Sequence, residues 1–264
     1  MLAVCERLAL EASRIVLDVF TAGAAVEHKR DHSPVTEADR ASERLIVAGL
    51  REAFPAIPCV AEEEISAGHV PGDLDGQFFL VDPLDGTREF INRHADFTVN
   101  IALVRAGVPV LGIVVAPVSQ TLYAGRPGVA EIVALNPDFS LRSRQRIVAR
   151  PCGMPPTIVA SRSHLTPATE EFIMRFPAAE IAYVGSSLKF CMIAAGEADL
   201  YPRFSRTMEW DTAAGDAVLR AAGGHCETPN GLPLRYGKRR QEHDVDFANP
   251  SFIARGQGEA PRPA

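Results

Sequence analysis

Apolar residues recur along the first twenty positions at helical spacing. Cys5, Leu8, Ala12, Ile15 and Val19 fall on one side, and Glu6, Arg7, Glu11 and Arg14 break any continuous apolar run. The pattern predicts an amphipathic helix and not a signal peptide. A polar loop follows over 27–34. In "SPVTEAD", Thr36 is placed as a helix N-cap with Asp39 three residues on, the arrangement of a capping box. The next helix carries an apolar face through Leu45, Ile46, Gly49, Leu50 and Phe54 and ends at Pro55 and Pro58. "IPCVAEEE" reads as a short strand running into three glutamates. A Gly-rich loop over 66–76 precedes a strand at 78–81.

In "FTVNIALV", Phe97, Val99, Ile101 and Leu103 alternate with smaller or polar groups, and "VPVLGIVVAPV" and "QTLYAG" continue with turn signals between them. This predicts an antiparallel meander. Residues 137–156 are rich in Pro and Arg with little periodicity, so a domain boundary is placed there. It separates an N-terminal α+β domain, 1–150, from a C-terminal α/β domain, 151–264. The second part reads as strand ("TIVAS"), helix (167–175), strand ("AYVG"), helix ("SLKFCMIAAG"), strand ("ADLYP") and helix ("TAAGDAVLRAAGG"), with a disordered tail "GQGEAPRPA". Helices and strands mix without strict alternation, which predicts an α+β layered sandwich.

Composition narrows the function. The 264 residues carry a formal net charge of −6, which disfavours non-specific nucleic-acid binding. No run reaches the ~18 apolar residues of a membrane span. Cys5, Cys59, Cys152, Cys191 and Cys226 are widely spaced, as expected of buried reduced thiols in a cytoplasmic protein. No lipidation or polybasic signal stands in the chain, so peripheral attachment to an inner membrane is left open.

The candidate chemistry lies in the acids. In "VDPLDGT", Pro83 pre-sets a turn that lets Asp82 and Asp85 face one side, with the Leu84 carbonyl between them. Two carboxylates and a carbonyl suit a hard divalent cation. Gly86 permits close backbone approach, and the following helix start offers N–H groups to a phosphate. "AEEE" adds Glu62, Glu63 and Glu64, "EWDTAAGD" adds Asp211 at a helix start, and Asp39 begins an earlier helix. Singly, each is an ordinary turn or cap residue; together they suggest a polynuclear metal site.

Asp39, "EE" at 62–63, "DPLDGT" at 82–87 and "WDTAAG" at 210–215 resemble the lithium-sensitive, Mg²⁺-dependent phosphomonoesterase superfamily. That group includes inositol monophosphatase, fructose-1,6-bisphosphatase and the 3′(2′),5′-bisphosphate nucleotidases. The resemblance covers nearly the whole chain. It implies a layered α-β-α-β-α sandwich. The longer stretches through residue 118, with "SRSH", "GSSLKFC" and "LYPRF", are most similar to the bacterial nucleotidase branch. That branch converts 3′-phosphoadenosine 5′-phosphate (PAP) to AMP and phosphate and is associated with sulfate assimilation; the sulfated relative PAPS is an alternative substrate.

The resemblance further implies in-line attack by a metal-activated water. Glu62, Asp82 and the Leu84 carbonyl would hold one Mg²⁺, and Asp82, Asp85 and Asp211 a second, with a third near Glu62 left open. Asp39 would hydrogen-bond Thr87, which orients the water, with Glu63 close behind. Gly86 and Thr87 would bind phosphate oxygens, and Asp211 would touch the sugar. Glu64 departs from the family pattern and leaves the ligand register within 62–64 open. A bisphosphate also needs donors for its second anion. Ser161, His164, Ser187, Lys189 and Arg203 are the candidates, and an inositol monophosphate would not need them. The rival readings are an inositol monophosphatase or other small-molecule phosphatase, and a phosphate-binding protein without turnover.

Overall fold

A computed structural model describes residues 1–29, 33–74 and 76–258. Its elements in chain order are α1 (Leu2–Ala22), β1 (Glu27–His28), β2 (Pro34–Val35), α2 (Glu37–Ala53), β3 (Cys59–Ala61), α3 (Glu62–Ser66), β4 (Gln77–Asp85), α4 (Thr87–Ile91), β5 (Thr98–Arg105), β6 (Val108–Ala116), β7 (Thr121–Arg126), β8 (Val129–Leu135), β9 (Leu141–Ile147), β10 (Thr157–Ser161), α5 (Pro167–Met174), β11 (Glu180–Val184), α6 (Leu188–Ala194), β12 (Leu200–Arg203), β13 (Thr207–Met208), α7 (Glu209–Ala221), β14 (His225–Glu227), β15 (Ala248–Asn249) and β16 (Phe252–Arg255).

Five layers stack. A seven-stranded sheet runs in the order β3-β4-β5-β6-β7-β8-β9, and a five-stranded sheet in the order β11-β10-β12-β16-β14. Strands β4 to β9 form the expected meander, antiparallel throughout. One face of the larger sheet buries Phe79, Val99, Ile101 and Ile113 against Leu8, Val16, Ile46 and Leu50 of α1 and α2. Its other face packs Leu80, Ala102 and Val114 against Phe190 of α6 and Ala214 and Val218 of α7, which also meet Tyr201 and Phe252 of the smaller sheet. Beyond that sheet, Ile158 and Leu200 pack on Ile173 of α5. This is the α-β-α-β-α sandwich. Gly112 and Gly125 let α7 close on the sheet: a Cβ on either would lie 2.2 Å from the Ala214 carbonyl oxygen or 2.5 Å from the Val218 Cα.

Several local expectations change. The buried stripe of α1 runs through Cys5, Leu8, Ala9, Ala12, Ser13 and Val16, and Ile15 and Val19 are only half-buried. The 3.6-residue period carries the contact line off the positions chosen from the sequence. On α2 the buried face includes Asp39, Ser42 and Glu43 as well as Ile46, Val47 and Leu50, so its first two turns present polar groups to the interior. Part of the 27–34 loop pairs as β1 with β2; residues 30–32 lie outside the described residues, as do residue 75 of the 66–76 loop and residues 259–264 of the tail. Residues 137–156 carry β9, whose arginines hid its alternation. Four of the cysteines are buried and Cys152 is half-buried. Among the described residues no helix is long and apolar enough to cross a membrane.

Candidate active site

The site begins with an irregularity in β4. The strand was expected to end at Val81; it continues to Asp85. Asp82 pairs with Asn100 and Asp85 with Thr98, so three steps on β4 oppose two on β5. The extra residue is a β-bulge. Positions three apart on a regular strand face opposite sides, and the bulge returns Asp85 to the face of Asp82. Pro83 lies inside the bulge, where no ladder donor is required. The two aspartates therefore share a face as expected, but through a bulge and not a terminal turn. Leu84 points its side chain into the α1/α2 core and its carbonyl oxygen toward Thr87, whose Oγ1 donates to it at 3.2 Å. Gly86, at φ 93°, takes the left-handed conformation that starts α4.

Strands β3 and β4 are parallel, with Ala61 opposite Val81. That register sets Glu62, first residue of α3, beside Asp82. Asp211 comes from the first turn of α7, where its Oδ2 accepts from Met208 N at 2.8 Å. Asp39 is 1 % exposed; its Oδ2 accepts from Thr36 N and Thr36 Oγ1, both at 2.7 Å, completing the expected capping box. Its Oδ1 accepts from Thr87 Oγ1 at 3.2 Å.

Glu62, Asp82, Leu84, Asp85, Gly86, Thr87 and Asp211 line one cavity of about 600 Å³, together with Ser161, His164, Lys189 and Arg203. Asp39 and Glu63 stand behind that wall. Ser187 does not face the cavity: it is buried, and its hydroxyl lies between Asn100 Oδ1 and Thr98 Oγ1, each at 2.9 Å. Its N–H instead holds Asp85 Oδ2 at 2.6 Å. Ser186, at φ 49°, lines the cavity in its place.

The cavity wall combines crowded carboxylates with two buried cations. Burial and the neighbouring carboxylates of Glu62, Asp85 and Asp211 push the Asp82 carboxyl well above its usual range. Burial, then Asp85 and Glu62, do the same to Asp211. Asp85 rises to about 6, chiefly through burial, with Lys189 and the Ser187 N–H opposing. Asp39 also rises to about 6 through burial, against its Thr36 bonds. Among the basic groups, burial lowers Lys189 to about 8 despite Asp85. It lowers His164 to about 4, assisted by Arg203 and Arg88. Lys189 Nζ donates to the Val184 carbonyl at 3.1 Å and the Ser186 carbonyl at 2.5 Å, and lies 5.1 Å from the Tyr201 ring centroid. Arg203 is 7 % exposed, and its Nε has no hydrogen-bond partner.

Four residues that the sequence reading passed over belong to this region. Lys29 Nζ lies 2.6 Å from Glu62 Oε1 and 2.5 Å from Glu63 Oε1. Burial depresses its pKa, but the two carboxylates outweigh burial and raise it overall. Glu43, 5 % exposed, accepts from Glu63 N at 2.7 Å and Glu64 N at 2.8 Å. Asn100 Nδ2 donates to Asp85 at 3.3 Å. Glu89 lines the cavity and accepts from Ser163 Oγ at 2.5 Å. Only Glu43 gave a signal, as a charge on the buried face of an amphipathic helix. Glu64 turns away to pair with Arg51 at 2.8 Å, so Glu62 is the glutamate that lines the cavity.

The donor set fits hard divalent cations: oxygen ligands only, several crowded carboxylates, and a lysine ammonium already bridging two of them. Among the described residues no three of these acids close into a finished ligand shell. The carboxylates line the wall of the cavity.

The inositol monophosphatase family model matches residues 1–258. The chain belongs to the inositol monophosphatase family. Members of this family are metal-dependent phosphatases. Among curated relatives, the 3′(2′),5′-bisphosphate nucleotidase CysQ of Salmonella typhimurium is 41% identical over 253 residues, covering 94% of this chain and 96% of the relative. Among solved structures, CysQ from Bacteroides thetaiotaomicron, a bacterial member of the inositol monophosphatase family, is 35% identical with a TM-score of 0.77, covering 97% of both chains. An inositol monophosphatase from Anabaena (Nostoc) has 22% identity and a TM-score of 0.71, covering 97% of this chain and 90% of that one; this likeness shows the fold alone.

Proposed function

We propose that the chain is a 3′(2′),5′-bisphosphate nucleotidase that removes the 3′-phosphate of PAP, giving AMP and phosphate, in support of sulfate assimilation. The observation that carries this reading is the mixed charge of the cavity wall. Glu62, Asp82, Asp85 and Asp211 crowd it, and two buried cations, Lys189 and Arg203, stand in the same lining. A ligand that relieves both sets carries two anionic groups, one of them brought in with cations. A monophosphate held by the acids alone leaves the buried Arg203 Nε without a partner, and an unsatisfied buried donor is costly.

Glu62, Asp82, the Leu84 carbonyl, Asp85 and Asp211 would hold Mg²⁺ ions, two in the simplest assignment and a third near Glu62. When bound, these ions lower the pKa of the attacking water and stabilise the leaving oxygen. The protein does the rest. Thr87 Oγ1 stands between the cavity and Asp39 Oδ1, so it can take a proton from the water as it gives its own to that carboxylate. Asp39, held by Thr36, keeps the hydroxyl turned to the reaction. Glu63 balances Lys29, and the Gly86 and Thr87 N–H groups meet the phosphate oxygens. Asp211 can also reach the ribose. Ser161, Ser186, neutral His164, Lys189 and Arg203 receive the second phosphate, and Ser187 contributes by fixing Asp85. Phosphate release from PAP by the wild-type chain and by Arg203→Ala tests the reading. A KM for PAP that is unmoved by the substitution would remove the second-anion subsite.

A further inference from the structure

Helix α2 touches every segment that carries an active-site acid of the first half. Asp39 accepts from Thr87 of α4 at 3.2 Å. One turn on, Ser42 Oγ lies 3.3 Å from the carbonyl oxygen of Pro83 inside the β4 bulge. Beside it, Glu43 accepts from the consecutive N–H groups of Glu63 and Glu64 at 2.7 and 2.8 Å. These residues are spaced three or four apart, or are adjacent, so one face of one helix presents them.

Helix α3 needs such help. It is five residues long, too short to sustain itself, and its N-cap, Ala61, has no side chain to offer the first N–H groups. Three successive glutamates at its start repel one another. Glu43 supplies the missing cap from a neighbouring helix, using both carboxylate oxygens, and it is buried while doing so.

We infer that Glu43 is a positioning residue: by capping α3 from α2 it fixes the direction in which Glu62 enters the cavity, and so sets the affinity of the site for divalent cations. The inference rests on the proposed reading of Glu62 as a metal ligand. It gives α2 one task, to hold Thr87, the β4 bulge and Glu62 at a constant spacing.

The test uses the full chain, metal-free and then titrated with Mg²⁺. In Glu43→Gln, one oxygen still accepts but the new NH₂ group faces an N–H. The Glu63 and Glu64 amides should exchange with solvent at least about tenfold faster than in wild type, while amides of β5 are unchanged. Mg²⁺ binding measured by calorimetry without substrate should weaken by about tenfold, the lower end of the range for groups that orient ligands. The KM for substrate at saturating Mg²⁺ should stay within twofold. Glu43→Asp, which shortens the reach, should behave alike. Unchanged exchange at Glu63 and Glu64 would overturn the inference. So would faster exchange with undiminished Mg²⁺ binding. Loss of the fold in both variants would also overturn it, making Glu43 a residue of the core. A wild-type chain that binds no Mg²⁺ would sink the metal assignment itself and the claim on affinity with it, a failure distinct from that of either variant.

Discussion

The acids and the cations of the cavity wall are built in opposite ways. The acids rest on the seven-stranded sheet and the starts of α3 and α7, where Asp82, Asp85 and Asp211 repel one another in a buried setting. Backbone N–H groups hold Asp85 and Asp211 directly. The cations rest on β12, the central strand of the five-stranded sheet, and on α6. Lys189 there is held by two carbonyl groups and an aromatic face, and Arg203 keeps an unpaired Nε. The acids are thus held in place against their own repulsion, and the cations make their direct contacts to neutral acceptors while Asp85 acts on Lys189 through space. Each set leaves an electrostatic deficit that one ligand can fill. On the proposed reading specificity and chemistry are separable: the acids serve phosphoester hydrolysis in general, and the cations a second anion.

The largest expected effect is at the acids. Asp82→Asn should lower kcat by about a thousandfold or more, at least the loss seen when one preorganised electrostatic group is removed. The same substitution should raise the melting temperature of the metal-free protein, because it deletes a buried charge from a repelling group. A variant with wild-type turnover would end the mechanism. A variant that melts lower when metal-free would contradict the account of repulsion.

At the cations, Lys189→Ala should raise the KM for PAP by about 10- to 100-fold, the range for losing a hydrogen bond to a charged group. The KM for a nucleoside monophosphate should move less than threefold. Equal changes for the two substrates would take Lys189 out of second-phosphate recognition.

A smaller effect separates the acids from the cations by pH. The folded-state pKa of Asp85 is raised to about 6, so its contribution is fully present below the unfolded value near 4 and is lost as pH rises through about 6. Metal-free wild type should lose stability across that window, and Asp85→Asn should lose less, because Asp39, Asp82 and Asp211 still titrate upward of their usual range in the variant. The melting-temperature advantage of Asp85→Asn should widen by about 5 °C between about pH 4.5 and 6.5. An advantage that is constant or shrinks with pH would contradict the burial argument.

What could be read in advance follows from how local each cause is. Asp82, Asp85 and Asp211 stand at strand ends and helix starts that hydrophobic periodicity locates, so the acids and the layered architecture were legible. The β4 bulge was not: Pro83 looks like a turn, and only pairing with Asn100 and Thr98 shows that the strand goes on. Ser187 looked like a ligand donor because its hydroxyl stands at a helix start, but Thr98 and Asn100, distant in sequence, occupy it. Lys29 sat in a polar loop with nothing to mark its carboxylate partners 33 and 34 residues on. Glu43 was visible as a charge at a core position of α2, a conflict between pattern and residue type that commonly marks a working residue.

The most direct test of the central claim is phosphate release from PAP, inositol 1-phosphate and fructose 1,6-bisphosphate, measured with Mg²⁺, with EDTA and with added lithium. The account predicts release that EDTA abolishes and lithium inhibits. It also predicts a kcat/KM for PAP at least about a hundredfold above the others, or ~2.7 kcal/mol of transition-state discrimination. A preference for inositol 1-phosphate, or release that survives EDTA, would contradict it.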